Sequence, residues 1–425
     1  MASFLFVVPP LAGHVNPTVA LGAELRRRGH EVAWAGMRAA VGPLLEPGAT
    51  LVPVAEEVPD ETVTALAQRS AGLRGAAALE FLWRDFLHPL ALAMAPGIER
   101  AVAALRPDAL VVDQQAFAGA VVARRAGLPW ATSATTSAEL VDPFQGLPKV
   151  GEWVRRQLVE LQVDLGVDPA AAVRGDLRFS EHLVLAYTTE ALAGPVLGLP
   201  AGAGPVAMVG PALGPRSDGD LARFPWSWLA GGGPVVLVTL GTVNAQAGGR
   251  FFATAVEALS GTGIRTVLVA PPELVGDVPA DVLVLPHVPQ VALLERVDAV
   301  VCHGGHNTVC EALVAGVPLV VAPIRDDQPI VADQVVRCGA GLRVRFGRVT
   351  AAELRAAVAQ VLHEPAYREA AAVVQRSFAL AGGAPAAAGH LEAMLTRGGG
   401  ARRRSPGPGR EPGASGCPGD PGGAR

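Results

Sequence analysis

Short, wholly apolar runs alternate with longer amphipathic stretches along the chain. The first run, residues 4–9, has the continuous apolar character of a strand that is buried on both faces of a parallel sheet. A helix is predicted from Asn16-Pro17 to Gly29, because proline favours the first helical turn and glycine the helix end. A second apolar run at residues 30–36 completes a strand–helix–strand unit. This beginning predicts an α/β domain built on a parallel sheet.

The same alternation continues through the rest of the chain and divides it into segments. Residues 1–210 and 234–380 each have the length and the pattern of a domain with its own core. The segment 211–233 is rich in proline, glycine, aspartate and arginine and predicts a linker between the two domains. A final helix is expected within residues 381–397. Residues 398–425 are mostly glycine, proline and arginine and are predicted to be disordered.

Asp218-Gly219-Asp220 in the linker has the Asp-x-Asp spacing of some metal sites. Because no strand precedes it, we interpret this stretch as a turn. No metal site is predicted anywhere in the chain.

Composition argues against membrane-spanning, secreted and nucleic-acid-binding proteins. Half of the residues are hydrophobic, yet no uninterrupted apolar run is long enough to span a membrane. The N-terminus carries no basic region before its apolar run, which indicates a strand rather than a signal peptide. The four cysteines show no CxxC spacing, and the net charge of −4 argues against a nucleic-acid partner. We therefore expect a cytoplasmic protein with neither stable membrane insertion nor nucleic-acid binding.

A glycine turn after a buried apolar run is the first candidate ligand site. It reads His303-Gly304-Gly305, and Asn307 or Thr308 is expected to cap the helix that follows. The first amides of a helix have no partner inside the helix, and the helix dipole makes this end positive. A phosphate or diphosphate is the expected ligand, with His303 as an additional donor.

Carboxylates follow at positions where hydroxyl groups of the same ligand could bind. Glu311 lies one turn into the helix and could accept the hydroxyl pair of a ribose, while Asp327-Gln328 could bind further hydroxyls. Together these residues predict a nucleotide-sugar site. Each pattern also has a structural alternative, since Thr308-x-x-Glu311 fits a capping box and Asp327-Gln328-Pro329 fits a helix start.

Two titratable residues are predicted to meet at the carboxyl edge of the first sheet. His14 is placed in the loop after the first strand, and Asp113 ends the apolar run 107–113. Such edges bind ligands in parallel sheets. A loop histidine is usually only solvated, and Asp113 could instead cap a helix predicted at residues 116–125. The fingerprint Gly-x-Gly-x-x-Gly is missing, which argues against a nicotinamide-dependent redox enzyme.

Taken in order, these residues resemble the donor-binding signature of family 1 glycosyltransferases. The signature begins here at His287-Val288-Pro289-Gln290 and ends at Gln328. The resemblance is greatest to bacterial enzymes that glycosylate natural products such as macrolides, enediynes and carotenoids. It implies the α/β GT-B fold, in which two Rossmann-like domains face each other across a cleft and the final helix crosses back to the first domain.

The resemblance also implies roles for individual residues. His14, within Gly13-His14-Val15-Asn16-Pro17, matches the family's catalytic histidine, and Asp113 matches the aspartate that orients it. Donor binding is implied for Gly241, Thr242, His287, Val288, His303, Gly304, Gly305, Asn307, Thr308, Glu311, Asp327 and Gln328. Acceptor binding is expected from Trp83, Phe86, Phe117 and Phe144, with core packing as the alternative for any one of these aromatics.

The chain departs from the plant form of the signature at two positions. His287 replaces the aromatic residue on which the nucleobase stacks, and His306 replaces the signature tryptophan. These replacements leave the choice between uridine and thymidine donors open.

The implied reaction is an inverting transfer of a hexose from a UDP- or dTDP-sugar to a hydroxyl of a hydrophobic small molecule. Neutral His14 would act as general base, and helix amides would stabilise the departing diphosphate, so no metal or other cofactor is expected. Donor and acceptor are the expected partners, and the sequence leaves a homodimer open. A nucleotide-sugar 2-epimerase of the same fold and a non-catalytic helper of another glycosyltransferase are the alternatives.

Overall fold

Two parallel sheets organise the protein. The computed structural model describes residues 1–55, 60–144, 146–197, 199–214, 219–241 and 248–402. In this part of the chain the 7-stranded first sheet contains β1 (Ser3–Val7), β2 (Glu31–Gly36), β3 (Thr50–Pro53), β4 (Ala109–Asp113), β5 (Trp130–Ala134), β6 (Leu183–Ala186) and β7 (Val206–Met208). The 6-stranded second sheet contains β8 (Val235–Thr239), β9 (Arg265–Val269), β10 (Val282–Leu285), β11 (Ala299–Cys302), β12 (Leu319–Val321) and β13 (Gly341–Arg343).

Helices connect the strands. In the first half they are α1 (Ala12–Arg27), α2 (Arg38–Val41), α3 (Asp60–Ala71), α4 (Gly75–Phe81), α5 (His88–Leu105), α6 (Phe117–Arg125), α7 (Pro148–Asp164), α8 (Pro169–Arg174) and α9 (Glu190–Ala193). In the second half they are α10 (Gly219–Arg223), α11 (Gly249–Leu259), α12 (Gln290–Leu294), α13 (His306–Val314), α14 (Gln328–Arg337), α15 (Ala351–His363), α16 (Pro365–Ala381) and α17 (Gly383–Arg402). None of the helices described is long and apolar enough to cross a membrane.

The stretch predicted to be a turn in the linker is only partly described. Asp218 lies outside the described residues, and Gly219 begins the short helix α10.

Both sheets have the strand order of a doubly wound fold. The first runs β3-β2-β1-β4-β5-β6-β7 and the second β10-β9-β8-β11-β12-β13. Each sheet therefore reverses its winding direction once, between β1 and β4 in the first and between β8 and β11 in the second. At such a switch point the connecting segments leave in opposite directions and open a crevice at the carboxyl ends of the strands. The prediction of two Rossmann-like α/β domains is confirmed.

The central strands are apolar throughout because both of their faces are covered. In β1, Leu5 and Val7 belong to one hydrophobic core and Phe4 and Phe6 to another, as expected for side chains that alternate between the faces of a sheet. The same alternation occurs in β8 between the two cores of the second domain. The continuous apolar runs in the sequence are the consequence.

The last helix joins the two domains. Ala387, Ala388 and Leu391 of α17 are fully buried in a core of the first domain. At the surface, Glu392 accepts a hydrogen bond of 2.8 Å from Arg28 Nη1 and lies 2.9 Å from His30 Nε2. The helix continues to Arg402, beyond the predicted limit at residue 397, and the remaining part of the predicted tail, 403–425, lies outside the described residues.

Candidate active site

His14 lies in the first turn of α1 and not in the loop where the sequence placed it. The helix begins at Ala12, so the predicted start at Asn16-Pro17 is wrong. Pro17 lies inside the helix. Because proline has no N–H, it leaves the carbonyl four residues earlier without a helical partner.

That carbonyl belongs to Gly13, and it is bonded across the cleft. Asn307 Nδ2 donates to the Gly13 carbonyl oxygen over 2.8 Å. The first turn of α1 therefore lies directly against the first turn of α13, which carries the predicted phosphate site. Proline at position 17 makes this contact available.

His14 and Asp113 meet as predicted at the edge of the first sheet. His14 Nδ1 lies 2.9 Å from Asp113 Oδ1 and 3.0 Å from Oδ2. The Gln115 amide also donates to Oδ1, over 2.8 Å, and the carboxylate is buried. Since an ionised carboxylate only accepts hydrogen bonds, Nδ1 carries the proton of a neutral His14 and Nε2 keeps its lone pair.

The environment of His14 favours its protonated form. Burial by itself lowers the pKa of His14, but the charge and hydrogen bond of Asp113, with a further contribution from Asp327, raise it above the usual 6.5. The side chain is still 17% exposed. Such a group can accept a proton from a bound ligand when its ring is neutral, which is the case at pH values above this raised pKa.

The helix at the second switch point begins earlier than predicted. Gly305 occupies the cap position of α13, and no side chain caps the helix, so the prediction of Asn307 or Thr308 as cap is wrong. Asn307 and Thr308 instead lie within the first turn, and the capping-box alternative for Thr308 and Glu311 is also excluded. Glycine at the cap leaves the first amides of the helix for a ligand.

His303 lies between two glycines beside this helix start. A Cβ on Gly305 would lie 2.4 Å from His303 Nε2, and a Cβ on Gly241 would lie 2.8 Å from His303 Cε1. Burial lowers the pKa of His303 to about 4, so the ring is neutral. Its Nδ1 has no hydrogen-bond partner among the described residues. Thr242, predicted beside Gly241, lies outside the described residues.

The residues expected to bind the nucleoside are Gln290, Glu311, His287 and Val288. Gln290 Nε2 donates to Glu311 Oε2 over 2.6 Å, which orients a buried carboxylate. His287 and Val288 lie in the loop between β10 and α12, with His287 exposed and Val288 packed on the core of the second domain. Because His287 is exposed, its ring is free to stack on a nucleobase.

Asp327 and Gln328 differ in what they already bind. Thr136 Oγ1, from the first domain, donates to Asp327 Oδ2 over 2.6 Å. Gln328 Oε1 accepts the backbone amides of Ile324 and Arg325 at 2.9 Å and 3.1 Å. The side-chain amide oxygen of Gln328 therefore closes the turn before α14. Asp327 instead faces the opposite domain.

His306 takes part in the contact between the domains. Its Nε2 lies 3.3 Å from the Tyr187 carbonyl oxygen and its Nδ1 lies 3.3 Å from Ser137 Oγ. Ser137 also donates to Gln334 Oε1 over 2.5 Å. The histidine that replaces the signature tryptophan is thus buried between the domains, where burial lowers its pKa.

The four aromatic residues predicted to bind the acceptor all belong to, or pack against, one core of the first domain. Trp83 and Phe117 are 6% and 1% exposed in the core of the first domain, and their rings stack with centroids 5.4 Å apart. This packing favours the core alternative for both, and acceptor binding by them stays a prediction. Phe86 and Phe144 are partly buried against the same core. Both Trp83 and Phe86 lie in the π-helical turn Leu82–Leu87, a local widening of the helix found often at functional sites.

Three hydroxyl residues at the end of β5 were missed by sequence reasoning. Thr135 contacts His14 and Asp113, Thr136 contacts Asp327, and Ser137 contacts His306. The signal was weak, because β5 itself contains Thr132 and Ser133 and so does not form an apolar run, although its carboxyl end lies at the same sheet edge as Asp113.

Comparison with known proteins identifies the class. The crystal structure of the glycotransferase of kitacinnamycin has a TM-score of 0.73 and 28% identity, covering 93% of this chain and 99% of that one. That of a calicheamicin glycosyltransferase has a TM-score of 0.71 and 25% identity, covering 93% and 99%. The fold is the GT-B fold of glycosyltransferases.

The sequence relatives define the family. The model for the erythromycin biosynthesis protein CIII-like C-terminal domain matches residues 261–394. The 4'-demethylrebeccamycin synthase of Lentzea aerocolonigenes is 31% identical over 412 residues, covering 89% of this chain and 96% of the relative. The chain belongs to the family 1 glycosyltransferases and is of the natural-product type.

Proposed function

We propose that the protein transfers a hexose from a UDP- or dTDP-sugar to a hydroxyl of a hydrophobic natural product, with inversion and without a metal. The observation that carries the proposal is the His14–Asp113 pair, which lies at one switch point directly against the helix start at the other. One wall of the cleft thus holds a base, and the other holds donors for a diphosphate.

His14 is the proposed general base. Asp113 fixes the proton on Nδ1, so Nε2 can take the proton of an acceptor hydroxyl as the oxygen attacks the sugar C1. The buried carboxylate then stabilises the imidazolium that forms. A single displacement of this kind inverts the anomeric centre.

The second domain stabilises the leaving group. Charge that develops on the departing diphosphate would be met by the first amides of α13 and by the neutral ring of His303, whose Nε2 lies on the side of the glycine turn. These donors are fixed before the reaction, so little reorganisation is needed when charge develops. On this basis we propose that the reaction needs no metal and no other cofactor.

The names of the relatives support the substrate class. A demethyllactenocin mycarosyltransferase of Streptomyces fradiae is 28% identical over 427 residues, covering 93% of this chain and 87% of the relative. Together with the 4'-demethylrebeccamycin synthase it favours a polycyclic or macrocyclic acceptor and a role in secondary metabolism. Cys302, Cys310 and Cys338 are all free thiols, which is consistent with the cytoplasm as the proposed location.

Transfer is favoured over epimerisation by the first domain. A nucleotide-sugar 2-epimerase acts on the donor alone and needs no base aimed at an acceptor, whereas here a buried carboxylate orients His14. A helper protein would have no use for the uncapped helix start beside the glycine turn.

The test is turnover by mass spectrometry with UDP-glucose and dTDP-glucose, a panel of polyketide and indolocarbazole acceptors, and EDTA. We expect transfer that EDTA does not reduce, and a loss of about 10²–10⁴-fold in His14→Ala, the contribution typical of a general base. His88→Ala is the matched control, because His88 Nε2 makes a 2.9 Å contact with Asp164 Oδ2 at the surface. Equal activity of the wild type and His14→Ala would refute the base assignment. An epimerised nucleotide sugar without transfer would favour the alternative.

A further inference from the structure

Thr135 makes two contacts that connect it to the pair of His14 and Asp113. Its Oγ1 donates to Asp113 Oδ2 over 2.9 Å and lies 2.8 Å from His14 Nδ1. Only 4% of Thr135 is exposed. A buried hydroxyl in contact with both residues of a catalytic pair has a more specific environment than core packing requires.

The register of the sheet places Thr135 beside Asp113. Asp113, the last residue of β4, is in register with Ser133 of β5. Thr135 follows two residues later, so along an extended chain its side chain returns to the same face as that of Ser133. Asp113 thus ends β4, Thr135 directly follows β5, and His14 lies in the helix that follows β1, so the three residues meet at the carboxyl edge of neighbouring strands.

The hydrogen-bond geometry assigns each proton. Asp113 Oδ1 accepts from the Gln115 amide and Oδ2 accepts from the Thr135 hydroxyl, so both carboxylate oxygens are held and the group cannot rotate about its Cβ–Cγ bond. The hydroxyl hydrogen points to Asp113, which leaves an oxygen lone pair towards the N–H of His14. Nδ1–H is therefore surrounded by three oxygen atoms.

We propose that Thr135 is a positioning residue that holds Asp113 and His14 in the reactive arrangement. It acts through His14 and does not touch the substrate. By fixing the carboxylate, it keeps the Nδ1 proton in place and the Nε2 lone pair aimed at the acceptor hydroxyl. The inference rests on the proposed function, in which His14 is the base.

The kinetic test uses Thr135→Val, which keeps the shape and removes the hydroxyl, and Thr135→Ser, which keeps the hydroxyl. We expect kcat to fall about tenfold or more in Thr135→Val, as for the loss of a buried hydrogen bond to a charged group, with the donor KM unchanged. Thr135→Ser should restore most of kcat. Thr266→Val is the control, because Thr266 is equally buried and its hydroxyl has no partner among the described residues.

A double-mutant cycle separates positioning from general damage. In the His14→Ala background, Thr135→Val should have no further effect, because the residue through which it acts is gone. The same fold loss in both backgrounds, or wild-type kcat in Thr135→Val, would overturn the inference while leaving the base assignment of His14 intact.

A second measurement needs no turnover. The titration of His14 is followed by ¹⁵N NMR of the imidazole nitrogens, with the resonance assigned by comparison with His14→Gln. Thr135→Val should raise the midpoint, because Asp113 loses a donor and attracts the imidazolium proton more strongly, and Thr135→Ser should return it. Identical midpoints in all three proteins would overturn the inference even if no acceptor had been found. A failure of the proposed function would appear only in the turnover assay.

Discussion

The two switch points of this molecule present different chemical groups: bonded side chains at the first, and mainly backbone amides at the second. At the first, three side chains bond one another: Nδ1 of His14, both carboxylate oxygens of Asp113 and the hydroxyl of Thr135 all have partners. At the second, backbone amides and a histidine with an unpartnered Nδ1 surround a glycine turn. A base needs one atom held in one orientation, whereas a diphosphate site needs donors that stay unpaired until the ligand arrives.

The two histidines of the cleft show the same contrast in their pKa values. Burial lowers the pKa of both rings. At His14 the charge and hydrogen bond of the adjacent Asp113 outweigh burial and the pKa is raised, whereas at His303 burial outweighs the charge of Asp327 and the Thr239 backbone, and the pKa falls to about 4. The first ring therefore binds a proton more readily than a free imidazole, and the second stays neutral at neutral pH. The same side chain suits the proposed base in one domain and a neutral hydrogen-bonding group in the other.

The largest loss of activity is expected when Asp113, the carboxylate of the first switch point, is neutralised. Asp113→Asn should reduce kcat about 10²–10⁴-fold, because an amide that donates to Nδ1 moves the proton to Nε2, the atom that must accept. A base works only when neutral, so activity of the wild type should fall as pH drops through a midpoint above 6.5, the usual value that Asp113 raises. In Asp113→Asn burial dominates, and the midpoint should move below 6.5. Complete pH–rate profiles measure both effects, and an unmoved midpoint would contradict the assignment.

An intermediate change is expected when the backbone of the second switch point is disturbed. Gly304 has φ +86, and a Cβ there would lie 2.8 Å from Val321 Cγ1. Gly304→Ala should raise the donor KM about tenfold, because a displaced turn moves the diphosphate donors by a fraction of an ångström. Gly29→Ala is the matched control, with φ +85 and nothing within 4 Å of the added Cβ. Both variants should lose stability, but only Gly304→Ala should lose donor affinity, and equal KM values would show that the turn tolerates a side chain.

The smallest change is expected at the contact that joins the two switch points. Asn307→Ala removes the hydrogen bond to Gly13 and should cost about 1 kcal/mol, or roughly fivefold in kcat/KM. Adding Pro17→Ala supplies the N–H that the Gly13 carbonyl lacks and should recover part of the thermal stability lost by Asn307→Ala. No recovery in the double variant would mean that the proline does not govern this contact.

Much of the second domain could be predicted because its information is local. The glycine turn at residues 303–305 lies between a buried strand, β11, and a helix, α13, as its local sequence predicted. The diphosphate site is one continuous segment, in which glycine turn and helix start follow each other directly. Even so, the helix was predicted to begin at Asn307 or Thr308, because polar residues are common caps, whereas the extended backbone at Gly305 ends the turn earlier.

The first domain was harder to predict because its site is assembled from distant residues. Trp83 and Phe117 show why an aromatic side chain in an amphipathic helix is ambiguous: the same position can point to a pocket or to the core, and the stacked pair fills the core. Pro17 shows a second limit. It was expected to start the helix, but the helix begins before it because the Gly13 carbonyl finds its partner in the other domain.

The sequence by itself determined the parallel sheets, the glycine turn that leads into a helix, and the presence of a histidine and an aspartate at one sheet edge. These follow from local periodicity and from residues that are neighbours in the chain. The tertiary structure decided that Thr135, 121 residues from His14, completes the pair, that Thr136 bonds Asp327 across the cleft, and that His306 is buried between domains. Such contacts depend on how separate elements pack, and no local pattern specifies the distance between two side chains from different strands.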